Sequence, residues 1–311
     1  MVLSLKEELF QRKKELLSPI KSVYFGGGTP SLLNKEEFES LLEEVYLCYN
    51  VEPDAEVTLE ANPENITINK AKAWKGLGIN RLSVGLQSFK NDDLKWMNRG
   101  HNNKQNSACI SDLYEAGFDN ISVDLIFGIP DCTNEEWREN IQTALGFGVS
   151  HISSYALTVE PKTALETLIA KGRIKNVDEE KAQEQFYILI EELTKANFVH
   201  YELSNFGKEG FFSQNNSSYW LGKPYLGIGP SAHSFKGKER SWNLKNNTKY
   251  IKAIRENVLP IEREILTEID GYNEYIMTGL RTIWGVSFSK IKHDLKFLEY
   301  GQGGLLDVLY R

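Results

Sequence analysis

Gly78-Ile79-Asn80-Arg81-Leu82-Ser83-Val84 and Gly117-Phe118-Asp119-Asn120-Ile121-Ser122-Val123 follow one recipe, and that recipe decides the fold. Each begins with a glycine, which takes the left-handed conformation that ends a helix. An apolar residue packs the turn, polar residues follow, and a β-rich run begins. Gly148-Val149-Ser150-His151-Ile152-Ser153-Ser154 and Asn197-Phe198-Val199-His200-Tyr201-Glu202-Leu203 extend the series. Earlier strands are expected at Ser22–Phe25 and Glu56–Glu60.

Between these strands the apolar residues recur at helical spacing. Asn34 caps one helix, with Glu37 following it, and Thr133 caps another, with Glu136 completing a capping box. Trp137, Ile141, Ala144 and Leu145 form the stripe of that helix. Asp178 opens a third, whose Ala182, Phe186, Leu189, Ile190 and Leu193 face inward. Strands alternating with helices imply a parallel sheet with right-handed crossovers. Polar residues at nearly every strand end favour an α/β fold of partial (β/α) barrel type, with its site at those ends. An open doubly wound sheet is the alternative. After Phe206 the pattern breaks into a glycine- and aromatic-rich stretch, and helical periodicity returns over Tyr250–Asn257 and Asp270–Arg281. The expected divisions are 1–205 for the barrel, 206–250 for the loop region, and 251–311 for a small, mainly helical C-terminal appendage.

Composition narrows the function. The 311 residues are 41% hydrophobic and 25% charged, as in a soluble globular protein. A net charge of −7 argues against nucleic acid as the main partner. No apolar stretch reaches the ~18 residues a membrane span needs, which leaves only peripheral contact with a membrane open. Met1–Ile20 alternates apolar and charged residues, which marks an amphipathic helix rather than a signal peptide. Three scattered cysteines, Cys48, Cys109 and Cys132, fit the reducing cytoplasm. They form no C-x2-C, C-x3-C or Cys/His cluster, so the sequence holds no recognisable metal or iron–sulfur site. Cys48 and Cys109 lie on apolar helix faces and are expected to be small buried hydrophobes. Cys132 follows a strand end and is expected to be more exposed.

The chemistry-bearing residues cluster at the strand ends. Gly26-Gly27-Gly28-Thr29-Pro30 directly follows Val23-Tyr24-Phe25, offering bare amides to an anionic or polar group. Glu60 ends the next strand, Gln87 the next, and Asp124 stands inside an apolar run from Ile121 to Ile129. A carboxylate there is costly unless it is paired or hydrogen-bonded. Arg99 adds a cation nearby. A ribose diol wants carboxylate or amide acceptors, an α-carboxylate wants an arginine fork, and an amine wants carbonyls and carboxylates. The bland alternative is an internal salt-bridge network that closes the barrel.

Tyr24-Phe25-Gly26-Gly27-Gly28-Thr29-Pro30-Ser31, Leu59-Glu60-Ala61-Asn62-Pro63, Ser83-Val84-Gly85-Leu86-Gln87-Ser88-Phe89 and Asp124-Leu125-Ile126-Phe127-Gly128-Ile129-Pro130 together resemble the radical SAM proteins of the anaerobic coproporphyrinogen III oxidase superfamily. The resemblance implies a barrel of that type and S-adenosylmethionine as cofactor. Gly27, Gly28 and Thr29 would lie along its methionyl part, Gln87 and Asp124 would meet its ribose, Arg99 its carboxylate, and Glu60 would complete the site. Asn205-Phe206-Gly207, Asn216-Ser217-Ser218-Tyr219-Trp220 and Tyr225-Leu226-Gly227-Ile228-Gly229-Pro230-Ser231-Ala232-His233 resemble the heme chaperone HemW branch. Gly279-Leu280-Arg281-Thr282-Ile283-Trp284-Gly285 resembles its C-terminal region. That branch implies heme as ligand and apo-cytochromes or other heme acceptors as partners.

The sequence departs from the family in two places. Radical chemistry there uses a [4Fe–4S] cluster held by C-x3-C-x2-C, and this motif is absent, so no radical is expected from the chain as it stands. The expectation is an N-terminally truncated member, lacking the first strand and the cluster loop. In the stretch resembling the family's H-N-x-x-Y-W motif, Asn215 stands where histidine is expected. Asparagine is not a usual heme ligand, so Tyr219, Trp220 and His233 become the heme-binding candidates. The competing functions are an oxygen-independent coproporphyrinogen III oxidase, an inactive fragment, and an unrelated barrel enzyme using Glu60 and Asp124 as acid and base.

Overall fold

The computed structural model describes residues 1–16 and 18–294. The part of the expected tail beyond Asp294 lies outside the described residues. The chain forms two compact units, Leu17–Asn215 and Met1–Leu16 with Asn216–Arg311. The N-terminal helix therefore groups with the C-terminal third.

The larger unit carries a seven-stranded sheet in the order β1-β2-β3-β4-β5-β7-β6. Its strands are β1 Ile20–Phe25, β2 Val51–Ala61, β3 Arg81–Gln87, β4 Ile121–Phe127, β5 His151–Ala156, β6 Val199–Glu202 and β7 Asn205–Gly207. β1 to β5 pair in parallel. β7 is antiparallel to both β5 and β6. The sheet is a half-barrel, as the alternation of strands and helices predicts, with β7 as a short return strand the repeat does not contain.

The junctions form as expected. Gly78, Gly117, Gly148 and Asn197 all have positive φ. Behind three of them the next residue reaches back five positions: the N–H groups of Ile79, Phe118 and Phe198 donate to the carbonyls of Trp74, Leu113 and Leu193. The same three side chains are buried in the core. The capping boxes at Asn34/Glu37 and Thr133/Glu136 are both present, and Asp178 caps the helix Glu179–Lys195.

Strand positions alternate in chemistry. Val57, Leu59, Leu82, Val84, Leu86, Val123, Leu125 and Ile152 enter the apolar core beneath the helices. The intervening positions point to the other face and are polar: Glu56, Thr58 and Glu60 on β2; Arg81 and Ser83 on β3; Ser122 and Asp124 on β4; His151 and Ser153 on β5. Strands covered on both faces normally read as continuous apolar runs. Here the inner wall is polar, and its residues must satisfy one another or a ligand.

The smaller unit contains a three-stranded antiparallel sheet, β8 His233–Phe235, β9 Glu239–Asn243 and β10 Ile261–Ile265, in the order β10-β9-β8. The sequence reading did not pick out these strands. Helices Asn247–Arg255, Glu268–Gly279 and Phe288–Asp294 accompany them. The N-terminal helix Val2–Arg12 behaves differently from its amphipathic pattern. Leu3 and Phe10 are exposed, whereas Glu8 and Arg12 are buried. Glu8 accepts from Gly229 N–H at 2.8 Å, Asn243 Nδ2 at 2.7 Å and Tyr250 Oη at 2.5 Å. Arg12 donates to Glu8 at 2.9 Å, Gly227 O at 2.8 Å and Ser234 Oγ at 3.1 Å. A charge buried this deeply needs such a shell of partners.

Candidate functional site

Glu60 organises the glycine loop. Its Oε1 accepts the Tyr24 hydroxyl at 2.6 Å, and its Oε2 accepts the Gly27 N–H at 3.1 Å. A Cβ on Gly26 would lie 2.5 Å from Tyr24 Cε1 and 2.8 Å from Glu60 Oε1, so only glycine fits under this clamp. Gly27 and Gly28 have φ of 74° and 78°, and nothing lies within 4 Å of where their Cβ atoms would be. The loop is held from one side and faces open space on the other. Thr29 follows with φ −142° and ψ 78° and precedes the short turn Pro30–Leu32.

Asp124 is half-buried on β4. Its carboxyl is pushed up to about 7, by desolvation first and then by the charge of Glu60. Hydrogen bonds from Ser83 and Ser153 and the Arg81 guanidinium pull the other way. The Ser83 Oγ to Asp124 Oδ1 distance is 3.2 Å. Tyr155, on the same wall, is pushed up to about 12 by burial and then by Asp124. The Tyr24 hydroxyl is also raised, by burial and by Glu60. Glu60, Tyr24, Asp124 and Tyr155 thus feel one another electrostatically, and the structure brings these groups together.

Gln87 ends β3 with φ 69°, an uncommon conformation for a residue with a side chain. Its Nε2 lies 2.8 Å from where a Gly85 Cβ would be, with Asn62 Oδ1 also close. The conformation is imposed from both sides. Asn106 Nδ2 donates to Leu86 O at 3.3 Å and Ser88 O at 2.9 Å, and His101 Nε2 lies 3.2 Å from Leu86 O. His101 is buried with its Nδ1 3.0 Å from Glu64 Oε2. Such strain is kept where a side chain must be aimed.

Arg99 is not brought into this cluster by any bond. It sits exposed in the turn after the helix Asn91–Trp96, and no hydrogen bond or ion pair holds its side chain among the described residues. The residues the sequence reading missed are the supporting ones: Tyr24, Ser83, Asn106 and Ser153. For Tyr24, Ser83 and Ser153 the signal was the period-2 polar face, which becomes visible only when neighbouring strands are lined up; Asn106, on the helix Asn103–Glu115, carried no such signal.

In the smaller unit, β8 places His233 and Phe235 on one face, and Trp242 is the cross-strand partner of His233. The His233 and Trp242 rings are 6.3 Å apart. Tyr225 continues the row, 6.1 Å from Phe235, and Tyr219 meets Tyr225 edge-on at 4.6 Å. His233 and Tyr219 are exposed, and Trp220 is half-buried. The opposite face of the strands is buried and carries Ser234, Ser241 and Asn243. Asn215 belongs to the larger unit, where its backbone N–H donates to Glu56 Oε1 at 3.3 Å.

The cysteines show no metal-binding arrangement. Cys109 and Cys132 are buried, with burial pushing their thiols up to about 12 and about 11. The expectation of a more exposed Cys132 is therefore corrected: Gln185 Nε2 donates to its carbonyl at 3.1 Å, drawing the turn onto the core. Cys48 is half-buried and donates to Glu44 at 3.4 Å. Among the described residues no group of three or more His, Cys, Asp or Glu is placed to hold a metal ion. No helix among them is long and apolar enough to cross a membrane.

Comparison with known proteins agrees with this geometry. The radical SAM superfamily profile matches residues 3–144. The heme chaperone HemW of Bacillus subtilis is 36% identical over 271 residues, covering 86% of this chain and 71% of that protein. The heme chaperone HemW of Synechocystis is 32% identical over 276 residues, covering 88% of this chain and 67% of that protein. Among solved structures, the coproporphyrinogen III oxidase HemN of Escherichia coli, described as a radical SAM enzyme, superposes with a TM-score of 0.81 at 22% identity. That match covers 96% of this chain and 72% of the oxidase, and it establishes the fold. The chain is a member of the heme chaperone HemW family, built on the half-barrel of the radical SAM superfamily.

Proposed function

We propose that this chain is a cytoplasmic heme carrier that binds heme on the β8–β9 face and passes it to apo-hemoproteins such as apo-cytochromes. The observation that carries the reading is the row Tyr219, Tyr225, Phe235, Trp242 with an exposed imidazole at His233. Flat rings suit a porphyrin face, and an imidazole with no hydrogen-bond partner among the described residues is free to ligate iron. The names of the relatives support heme as the ligand.

The half-barrel is proposed to hold S-adenosylmethionine. The open space over Gly27 and Gly28 suits its methionyl part beside Thr29, and Gln87 and Asp124 suit the ribose diol. Arg99 would meet the carboxylate. Glu60 would act through the loop, because both of its oxygens are already engaged. When bound, the cofactor supplies a sulfonium and a nucleoside. A [4Fe–4S] cluster does not fit the residues present, since its three thiolates would have to come from Cys48, Cys109 and Cys132, which lie on separate elements with two of them buried. No step through a cluster follows for this chain.

An absorbance titration with hemin tests the heme reading. The expected result is saturation near one equivalent, with a shifted Soret band that His233→Ala abolishes. Non-saturating adsorption, unchanged by that substitution, defeats it. Calorimetry with S-adenosylmethionine tests the half-barrel separately.

A further inference from the structure

Behind Asp124 the polar wall continues as a chain of buried groups. Asp124 pairs in register with Ser153 of β5, both side chains lie on the polar face of adjacent strands, and Ser153 acts to pull the Asp124 carboxyl down. The Ser153 hydroxyl donates to Asn205 Oδ1 at 2.6 Å. A hydroxyl has one proton to give; here the Asn205 carbonyl takes it, and the Asp124 carboxylate on the neighbouring strand is the alternative acceptor. Asn205 is held in place by the bond from its Nδ2 to Glu202 Oε1.

On the other side, Ser122 Oγ lies 3.4 Å from Ser153 Oγ and 2.7 Å from His151 Nδ1. His151 Nε2 lies 2.7 Å from the Tyr201 hydroxyl, which in turn accepts the Ser213 N–H at 3.3 Å. Burial, with Arg81 adding to it, pushes His151 well below its usual value, so the ring is neutral. A neutral ring that accepts from Tyr201 at Nε2 donates from Nδ1 to Ser122, and Ser122 then donates to Ser153. Ser122, His151, Ser153 and Tyr201 are all buried, so no water takes over these bonds.

We propose that Ser153 is a positioning residue for Asp124, its single proton resting on the Asn205 carbonyl when Asp124 is protonated and swinging to the carboxylate when a ribose-type cis-diol engages Asp124. This rests on the reading of the half-barrel as a nucleoside site and deepens it. An ionised carboxylate accepts from both hydroxyls of a diol, whereas a protonated one competes with them as a donor. The groups facing Asp124 are Tyr24 on β1, Glu60 on β2, Arg81 on β3 and Tyr155 on β5, with Glu202 beyond Tyr155; the neutral His151 on β5 is engaged by Ser122 and Tyr201. Glu60 opposes ionisation and Arg81 favours it. Ser153 is the neutral group that can side with either state.

The test is calorimetric titration with S-adenosylmethionine from about pH 5.5 to about 8.5, using wild type, Ser153→Ala, Ser153→Thr and Asp124→Asn. Wild-type affinity should rise up to about tenfold per unit and level off above Asp124's titration, while Asp124→Asn should be flat. Ser153→Ala should move the midpoint up by about one unit, and Ser153→Thr should restore it. An equal loss of affinity at every pH, with the midpoint unmoved, reduces Ser153 to a structural role and overturns the proposal. If wild type binds no S-adenosylmethionine, the reading of the half-barrel fails on its own account. The carboxyl carbon resonance of Asp124, identified with Asp124→Asn, then decides the remainder in ligand-free protein: an upward shift in Ser153→Ala sustains the switch, and an unchanged titration ends it.

Discussion

Tyr24 donates its hydroxyl to Glu60 Oε1 at 2.6 Å while Glu60 Oε2 takes the Gly27 N–H at 3.1 Å. One carboxylate on β2 therefore fixes both the end of β1 and the loop that leaves it. Glu60→Ala should lower S-adenosylmethionine affinity by about 10- to 100-fold, because bonds to an ionised group contribute about 1.5–3 kcal/mol each. It should also lower the Asp124 titration, since the Glu60 charge raises it. Calorimetry across pH checks both; unchanged affinity would mean the loop needs no anchor.

Gln87 separates backbone strain from side-chain chemistry. Gln87→Gly accepts φ 69° without a Cβ, whereas Gln87→Ala keeps the strain and loses the amide. The glycine variant should be more stable than the alanine variant by about 1 kcal/mol in denaturant unfolding. Both should bind S-adenosylmethionine more weakly than wild type.

Acidity should stabilise the larger unit through Asp124. Its folded value of about 7 lies above the ordinary 3.8, so the folded state binds its proton more tightly. That contribution is complete below about 3.8 and is lost as pH rises through about 7. A thermal-denaturation series in Asp124→Asn should show a shallower fall over this window than wild type. Equal slopes would contradict the assignment.

The buried Glu8–Arg12 pair should be intolerant of half-removal. Both side chains are essentially inaccessible, at 0% and 1%. Arg12→Met alone leaves a buried carboxylate and should cost about 3–5 kcal/mol. Adding Glu8→Gln removes the orphaned charge and should recover part of the loss, as measured by chemical unfolding.

Thiol chemistry offers a simple check on the absence of a cluster site. At neutral pH, iodoacetamide should label Cys48 and spare Cys109 and Cys132, whose thiols are raised to about 12 and about 11. All should react in denaturant. Iron and sulfide added to the native chain should produce no bound cluster absorbance.

What was legible in the sequence is what local geometry determines. Helix ends at Gly78, Gly117, Gly148 and Asn197 are set by residues within one turn, and all four adopt positive φ. Capping boxes are equally local. Glu60 and Asp124 stood out because a carboxylate among apolar strand residues is costly unless it is satisfied; Glu60 lies at the end of β2 and Asp124 in the middle of β4. Ser153 and Asn205 did not, since a serine or an amide looks like ordinary surface until the register of β4, β5 and β7 turns it inward. β7 escaped because Asn205–Gly207 is too short to show a period. The N-terminal helix buries Ser4, Glu8 and Arg12 along with Leu9, because Glu8 finds partners at Gly229, Asn243 and Tyr250, far along the chain. Leu3, 82% exposed, follows from the same choice of face.

The alternation along β2 to β5 gives this half-barrel two independent surfaces on a single sheet. Cohesion resides in Leu59, Leu82, Val123 and Ile152 under the helices, and the proposed recognition surface lies one residue away, in Glu60, Ser83, Asp124 and Ser153. Drift on the second set can retune which small molecule is welcome while the first set goes on holding the scaffold. A fold arranged in this way can change its cargo through neighbouring codons without reinventing its frame.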